Sequence, residues 1–344
     1  MKDAGTGTKR INLALQGGGA HGAFTWGVLD RLLEEERLEI AAISGTSAGA
    51  LNAAALKAGM IHGGREGAKA ELDWLWSQVG AVNDPALSDW LAALGPSAPA
   101  MAKALEYSPG WQVADGIMRM MSPYAYGPLV RNPLERIVER FDYDAVCGAG
   151  GPELHVCATN VRSGKVRVFT GAEISTPAIL ASACLPTLFQ AVEIDGEAYW
   201  DGGYTGNPAL FPLYAPHLPD DLLVVNINPL YREALPRDPQ AIQNRINEIS
   251  FNSSLLRDLR AINFVKRLIA GGRMPEGAMK DVLVHMIADD GLMNRLSVAT
   301  KIVPNPVVLA RLKAAGRAGA AAFLETHWDD IGARGTVDLQ AMFG

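Results

Sequence analysis

Two short glycine-rich motifs near the start of the chain combine the parts of an acyl-transfer site. The first is Gly17-Gly18-Gly19-Ala20-His21-Gly22, and the second is Gly45-Thr46-Ser47-Ala48-Gly49. The first offers backbone N–H groups with no side chains to block an approaching oxygen anion. The second is the G-x-S-x-G pattern, which lifts a serine hydroxyl on a strained turn between a strand and a helix. Together they predict a nucleophile and an oxyanion hole.

The context of Ser47 favours a nucleophile elbow. The apolar run Ala41-Ala42-Ile43 precedes it, and an alanine-rich helix is predicted over Ala48–Ala58. Such a turn is too tight for a β-carbon at Gly45 and Gly49, and the N-terminus of the helix favours negative charge beside the serine. The alternative, Ser47 as a simple helix N-cap, explains the serine but not the two glycines.

The glycine loop allows two interpretations. Gly17, Gly19 and Gly22 match G-x-G-x-x-G, the dinucleotide fingerprint. That fingerprint needs an acidic residue at the end of the next strand, but here that strand ends in Ile43-Ser44. The oxyanion interpretation accounts better for three consecutive glycines, with the N–H groups of Gly17, Gly18 and Gly19, joined by Ala48, as donors. A nucleotide-dependent oxidoreductase remains the weaker alternative.

A serine nucleophile needs a base, and a histidine late in the chain is the usual one. The candidates here are His217 in a proline-rich loop, His285 in a strand and His327 on a helix, and none of them lies in a glycine-rich turn. His21 starts a helix and is expected to orient the glycine loop.

Asp201 is the better candidate for the base. It follows a predicted strand, and Gly202 and Gly203 after it let the backbone turn away from a cleft. The alternative is an ordinary Asp-Gly turn, but Asp195-Gly196 already supplies the turn of that hairpin. We therefore expect Asp201 to accept the proton of Ser47.

The elements around the motifs predict an α/β fold. A strand over Ile11–Leu15, a helix over residues 21–36, a short strand over Ile40–Ile43 and the alanine-rich helix follow one another quickly. This order indicates a right-handed parallel βαβ unit, with both glycine motifs beyond the carboxyl ends of its strands. Further predicted elements are strands over 154–159, 165–170, 192–194, 197–200, 222–227 and 281–287 and helices over 245–269 and 306–328.

Bulk composition excludes several function classes. Asp plus Glu number 37 against 31 Lys plus Arg, a net charge of −6 without a basic stripe, so no nucleic-acid partner is expected. The cysteines Cys147, Cys157 and Cys184 form no metal-binding spacing, and neither a metal nor an organic cofactor is expected. With neither a signal-peptide pattern nor a membrane span in the sequence, we expect a soluble cytoplasmic protein. Peripheral contact with membranes and a homo-oligomer stay open.

The chain divides into a predicted catalytic domain over residues 8–230 and a C-terminal helical extension over 231–344. The extension carries a last strand and is expected to pack on the same domain. Residues 80–130 change character, with Pro, Gly, Met and aromatic residues interrupting short apolar stretches. We interpret them as an insertion of helices and loops, and the stretch Trp111–Tyr126 is either a lipid-contacting mouth of the site or a plain embellishment of the core.

The three blocks, in this order and spacing, resemble the patatin-like phospholipases of the bacterial type. The segment Ala181–Pro186 is also similar to one that precedes the aspartate block in that family, and the resemblance covers roughly residues 11–230. It implies a three-layer α/β/α fold with a mainly parallel central sheet and helical embellishments, a Ser47–Asp201 dyad without a catalytic histidine, and lipid acyl hydrolysis without a metal. One departure is His21, where the family commonly has Arg or Lys, so that a titratable group replaces a fixed charge.

The expected function is therefore a serine lipid acyl hydrolase that cleaves carboxylic esters through an acyl-enzyme. The alternatives are an intracellular polyester or neutral-lipid esterase, and a catalytically weak lipid-binding protein of the same fold. Head group, acyl position and chain length are not encoded in these motifs.

Overall fold

The computed structural model describes residues 7–80, 132–237, 239–275 and 277–343, with short pieces at 100–101, 103–104, 108–110 and 122–125. Most of the predicted insertion over 80–130, including the proposed mouth around Trp111–Tyr126, lies outside the described residues. The elements below are numbered within the described part.

One eight-stranded sheet organises the molecule. Its path runs β5-β6-β3-β2-β1-β7-β8, and β4 pairs with β3 off this path. The pairs β3-β2, β2-β1, β1-β7 and β7-β8 are parallel. The pairs β3-β4, β3-β6 and β6-β5 are antiparallel. The strands are β1 (Lys9–Leu15), β2 (Leu38–Thr46), β3 (Glu153–Asn160), β4 (Val166–Thr170), β5 (Val192–Ile194), β6 (Glu197–Asp201), β7 (Asp221–Asn226) and β8 (Leu283–Ala288).

Helices cover both faces of the sheet. They are α1 (Ala23–Leu32), α2 (Ala48–Val79), α3 (Glu135–Val138), α4 (Tyr143–Cys147), α5 (Thr176–Ser182), α6 (Pro239–Ala270), α7 (Asp290–Met293), α8 (Val298–Ile302), α9 (Pro306–His327) and α10 (Leu339–Phe343). No helix in the described ranges combines the length and the apolar character that crossing a bilayer requires.

The alternation of side chains along the strands creates two hydrophobic cores. In β1, Leu13 and Leu15 pack with α1, α2 and α9 on one face, while Ala14 between them packs with α6 on the other. Leu255 and Leu259 are the fully buried residues by which α6 covers this second face. The result is the three-layer α/β/α architecture, with a mostly parallel central sheet.

Several predicted elements differ in extent from those observed, and two helices show this clearly. The alanine-rich helix continues to Val79 instead of ending at Ala58, with a kink at Gly63 and Gly64. The sequence suggested an end there because glycine weakens a helix, but Leu72, Leu75 and Trp76 are buried against the same core and extend it. Similarly, α6 begins at Pro239, ahead of the predicted start at Arg245.

Candidate active site

The register of three neighbouring strands brings Ser47 and Asp201 to the same level of the sheet. On one side of β3, Thr46 at the end of β2 lies opposite Cys157. On the other side, Asp201 at the end of β6 lies opposite Ala158. The two side chains therefore converge across β3, although 153 residues lie between them in sequence.

Ser47 occupies a strained turn. Its φ of 54° and ψ of −121° lie in a region that residues with a side chain rarely adopt, and α2 begins at the next residue. Strain of this kind costs about 1–3 kcal/mol and persists only where the surroundings enforce it. Here Gly45 and Gly49 enforce it, because a β-carbon on Gly45 would lie 2.7 Å from the carbonyl oxygen of Gly49, and one on Gly49 would lie 2.2 Å from that of Leu15.

Asp201 is a buried carboxylate that faces the serine. Burial raises its pKa to about 7, although hydrogen bonds from the Gly203 N–H and the Ser47 hydroxyl act in the opposite direction. The Gly203 N–H lies 2.7 Å from Asp201 Oδ1, and the side chain is only 1% exposed. A carboxylate with this pKa is a far better base at neutral pH than an ordinary aspartate.

The backbone of Asp201 is held from both sides. Thr159 Oγ1 donates to its carbonyl at 2.8 Å, and its own N–H donates to the Cys184 carbonyl at 2.8 Å. Gly202 then passes so close to β3 that a β-carbon would lie 2.2 Å from the Cys157 carbonyl oxygen. A close approach between backbones thus explains Gly202, whereas a β-carbon on Gly203 would lie 3.0 Å from Asp201 Oδ1 and 3.2 Å from Phe251 Cζ.

The glycine loop lies directly against the serine elbow. A β-carbon on Gly17 would lie 2.8 Å from Ser47 Cβ, and one on Gly22 would lie 2.6 Å from Ala48 Cβ. Gly19 has a φ of 58°, and a β-carbon on it would lie 2.3 Å from the Lys301 carbonyl oxygen. The structure therefore brings together Ser47, Asp201, the glycine loop and Ala48.

The four predicted oxyanion donors are not equivalent. The Gly17 N–H is already donated to Asn207 Oδ1 at 2.7 Å, which anchors the loop instead of leaving that group free. The N–H groups of Gly18, Gly19 and Ala48 make no hydrogen bond within the described ranges, because each stands at the start of a helical segment.

His21 is buried and neutral. Its Nε2 lies 2.8 Å from Thr300 Oγ1, and the Thr300 hydroxyl in turn donates to the Ser297 carbonyl, so Nε2 carries the proton. Burial, together with the charges of Lys301 and Arg232, keeps the pKa of His21 well below its ordinary value. The imidazole is fixed by Thr300 and supplies no positive charge there, and its role in orienting the loop stays a prediction.

A cation does stand beside the loop, from a distant part of the chain. The Lys301 ammonium donates to Asn228 Oδ1 at 2.8 Å, and Asn228 Nδ2 donates to the Gly17 carbonyl at 2.8 Å. Gln16 Oε1 accepts from the N–H of Asn228 at 3.1 Å, which completes the support. Nothing local in the sequence marks Lys301, since α8 reaches the loop only through the fold.

The other candidate histidines are paired elsewhere. His217 contacts Glu153 at 2.6 Å, His285 contacts Asp221 at 3.0 Å, and His327 contacts Asp330 at 2.8 Å. None of them forms a hydrogen bond with Ser47 in the described part of the chain.

The segment Ala181–Pro186 touches both halves of the site. Ser182 Oγ accepts a hydrogen bond from the Ser47 N–H at 2.9 Å and donates one to the Cys157 carbonyl at 2.6 Å. Two residues later, the Cys184 carbonyl accepts from the Asp201 N–H. The sequence showed this segment only as a resemblance, and the structure gives it a physical role, since it joins the serine to the aspartate through the backbone.

The family model described as patatin-like phospholipase matches residues 13–214, more than half of the chain. The chain belongs to the patatin-like phospholipase family. This membership places it among the lipid hydrolases, and residues 13–214 include every motif of the candidate site.

Solved structures give more distant similarities. The crystal structure of VipD from Legionella pneumophila is 17% identical, with a TM-score of 0.45, over 93% of this chain and 67% of that one. The type III effector protein ExoU is 18% identical, with a TM-score of 0.37, over 93% of this chain and 53% of that one. A structure of ExoU in complex with SpcU, from Pseudomonas aeruginosa, is 15% identical, with a TM-score of 0.33. The match covers 93% of this chain and 54% of that one. The chain thus spans about half the length of ExoU, and no curated protein sequence matches it.

Proposed function

We propose that this patatin-like phospholipase is a serine lipid acyl hydrolase that works through a Ser47–Asp201 dyad. The observation that carries the proposal is the Ser47 hydroxyl, on a positive-φ turn, facing a buried carboxylate whose pKa is raised to about 7. A nucleophile paired with a base of matched pKa is the arrangement that ester hydrolysis requires.

In the proposed reaction, the Asp201 carboxylate accepts the proton as Ser47 Oγ attacks the ester carbonyl. The tetrahedral oxyanion accepts hydrogen bonds from the free N–H groups of Gly18, Gly19 and Ala48, while Gly17 holds the loop through Asn207. The alcohol leaves with the proton from Asp201 and an acyl-enzyme remains. Water, deprotonated by Asp201, then releases the fatty acid and restores the serine.

The substrate is proposed as a lipid or another acyl ester, with a cytoplasmic location and peripheral contact with lipid aggregates. Both members of the proposed dyad, Ser47 and Asp201, are present and face each other, which weighs against a lipid-binding protein without activity. The glycine loop packs on the serine elbow and its Gly17 N–H is engaged by Asn207, which weighs against a dinucleotide site.

The decisive experiment measures hydrolysis of a nitrophenyl acyl ester by the purified protein and by Ser47→Ala and Asp201→Asn. Asp201→Asn keeps the shape of the side chain and Ser47→Ala removes a single oxygen, so we expect a loss of several orders of magnitude in kcat with the fold retained. A thermal melt confirms folding, and mass spectrometry after treatment with a fluorophosphonate locates the labelled residue. Label on a residue other than Ser47, or full activity of Asp201→Asn, would overturn the dyad.

A further inference from the structure

The side-chain amide of Asn52, in the second turn of α2, lies between the two backbone segments that carry the candidate oxyanion donors. Its Nδ2 donates to the Ala48 carbonyl at 2.9 Å and to the Gly22 carbonyl at 3.2 Å. Ala48 begins α2, and Gly22 ends the short helical turn that precedes α1. One fully buried NH2 group therefore joins the start of the serine helix to the end of the glycine loop.

A third hydrogen bond fixes the orientation of this amide. The Trp76 Nε1–H donates to Asn52 Oδ1 at 2.9 Å. An indole nitrogen can only donate and a carbonyl oxygen can only accept, so Oδ1 must face Trp76 while Nδ2 faces the two carbonyls. A flipped amide would break all three bonds at a position that solvent does not reach, where nothing would replace them.

Trp76 reaches Asn52 because α2 turns back on itself. The two residues are 24 positions apart, which would separate them by about 36 Å along a straight helix. The chain reverses at Gly64, which has a φ of 60°. The two halves then pack so closely that a β-carbon on Gly59 would lie 2.3 Å from the Gly67 carbonyl oxygen. This reversal places an indole beside the first turns of the serine helix.

The indole of Trp76 is itself held in place. Its ring stacks on that of Trp26 from α1, with 5.9 Å between centroids and 9° between planes, and both side chains are buried. The Trp26 Nε1–H donates to Asp73 Oδ1 at 3.0 Å. On its other side, Trp76 Cζ2 lies 3.3 Å from the point that a β-carbon of Gly22 would occupy. The acceptor side of the Asn52 amide therefore has a rigid partner.

An oxyanion site assembled from two segments requires that their donors meet at one point. The candidate donors Gly18 and Gly19 lie on the glycine loop, whereas Ala48 lies at the start of α2. Such donors stabilise a transition state when they lie about 3 Å from the developing charge, and a displacement of about 1 Å can cost roughly a hundredfold in rate. A link between the two segments is therefore a means of control over the rate.

We propose that Asn52 is a positioning residue that aligns the glycine loop with Ala48, so that their N–H groups converge on the oxyanion, and that Trp76 fixes its amide. Asn52 is fully buried and acts through the backbone of the two segments, without contact with the substrate. The inference rests on the proposed function and adds to it the residue that assembles the oxyanion site.

The first experiment compares Asn52→Leu with the wild type on a nitrophenyl acyl ester. Leucine is similar in size and shape but donates no hydrogen bond, so the two segments lose their link. We expect kcat to fall about a hundredfold with KM within about threefold, because oxyanion donors act mainly in the transition state.

Asn12→Leu is the matched control for that change. The Asn12 amide is similarly buried, and its Nδ2 donates to the Pro219 carbonyl at 2.7 Å, ahead of the amino end of β7 and away from the serine. This variant should melt at a lower temperature and keep the wild-type kcat. A folded Asn52→Leu protein that behaves in the same way would overturn the proposal.

The second experiment separates positioning from folding through Trp76. Asn52→Leu leaves the buried indole N–H without its acceptor, whereas Asn52→Leu/Trp76→Phe removes both partners and should regain much of the melting temperature. Its kcat should nevertheless stay about a hundredfold low, because the two segments are still unlinked. The double variant also keeps the test decisive if Asn52→Leu alone fails to fold. Recovery of kcat together with stability would mean that Asn52 supports only the fold.

A trifluoromethyl ketone measures the oxyanion site without turnover. Ser47 Oγ bonds to its carbonyl carbon, the serine proton passes to Asp201, and the electron pair of the C=O bond remains on the oxygen as an oxyanion. Asn52→Leu should raise the Ki of this ketone by the factor by which kcat/KM falls. The Ki of the matching trifluoroalkane, which has no carbonyl, should not change. An unchanged Ki for the ketone, or an equal rise for both compounds, would refute the positioning role.

Failure of this inference and failure of the proposed function give different results. If the wild-type protein neither hydrolyses the nitrophenyl ester nor binds the ketone more tightly than the trifluoroalkane, the proposed function is wrong. If the wild type does both, and folded Asn52→Leu matches it in kcat and in the Ki of the ketone, only the role of Asn52 is overturned.

Discussion

The ammonium of Lys301 lies 2.8 Å from Asn228 Oδ1 and so braces the glycine loop from the opposite end of the chain. Asn228 transmits this contact to the Gly17 carbonyl, and the Lys301 backbone packs against Gly19. The loop that is expected to stabilise an oxyanion therefore has a positive charge and a rigid wall behind it. The neutral His21 does not provide that charge.

Lys301 should determine the alkaline limit of activity. Burial and Arg232 lower its pKa to about 8, against the opposing charge of Glu248, so the ammonium loses its proton only slightly above neutral pH. We expect kcat/KM for a nitrophenyl ester to fall above about pH 8. Lys301→Arg should move this limb to higher pH, because guanidinium stays charged, and Lys301→Met should remove the limb and lower the plateau. An alkaline limb that is the same in all three proteins would contradict this role.

Asp201 should determine the acid limit of the same profile. As a base it must be deprotonated, and its pKa is raised to about 7, so kcat/KM should fall below pH 7 with unit slope. The same group predicts a stability effect of definite sign. Between its ordinary pKa and 7, the folded protein retains a proton that the unfolded chain releases, so this group makes stability fall as pH rises through that range.

Asp201→Asn tests the stability effect without reference to activity. The variant should melt at a higher temperature than the wild type at pH 8, and the difference should shrink toward pH 4, where the aspartate is protonated in the folded state and about half protonated in the unfolded chain. Thermal melts at the two pH values check this. A variant that is less stable than the wild type at pH 8 would mean that Asp201 is not a desolvated carboxylate.

Gly18 should be intolerant of a side chain for a reason of geometry. A β-carbon there would lie 2.8 Å from Ile227 Cδ1, so either the buried Ile227 side chain or the loop must shift to relieve the contact, and we expect the loop to move because Ile227 is fully buried. Since its N–H is free to meet an oxyanion, the shift should lower kcat by roughly two to three orders of magnitude, as loss of one such donor does. Gly63→Ala is the matched control, because a β-carbon there meets nothing within 4 Å. Full activity of Gly18→Ala would exclude the loop from the oxyanion site.

Ser182 should act as a positioning residue for the nucleophile. Its hydroxyl is the acceptor for the Ser47 N–H, and Ser182→Ala leaves that buried group without a partner, at a cost of about 1–3 kcal/mol. We expect a lower melting temperature together with slower fluorophosphonate labelling of Ser47, because the strained turn loses a support. Ser77→Ala removes a similar hydroxyl-to-carbonyl bond, to Trp74, away from the site and should affect stability alone. If labelling stays at the wild-type rate, Ser182 supports only the fold.

The sequence was sufficient for the parts of the site that local pattern encodes. Ser47 and the glycines around it lie in contiguous motifs, and Asp201 was recognised because a strand precedes it and glycines follow. Asn207, Asn228 and Lys301 were not recognised as supports, since each reaches the loop from a separate element and has no neighbouring signal. Ser182 lay in a segment known only by resemblance, which gave it no physical role. The hydrogen bond from the Gly17 N–H could not be predicted from the sequence either, because its acceptor, Asn207, lies 190 residues away along the chain.

The methionine-rich stretch shows the limit of composition as a guide. The stretch Trp111–Tyr126 was interpreted on its composition as a lipid-contacting mouth or a core embellishment, but most of it lies outside the described part of the chain. The exposed isoleucines of α6 had been assigned to an amphipathic helix, and periodicity does not say which of its apolar residues find a partner. Only packing shows that Leu255 and Leu259 are buried while Ile246 and Ile249 are not.

The contact between Lys301 and the glycine loop also has a consequence for biosynthesis. The ribosome delivers Lys301 about 100 residues after Asp201, which at about 5–20 residues per second is a delay of roughly 5–20 s. During that interval the proposed nucleophile and its base are already synthesised, while the glycine loop lacks its brace. A protein made in this order completes the support of its glycine loop only in the last stage of translation.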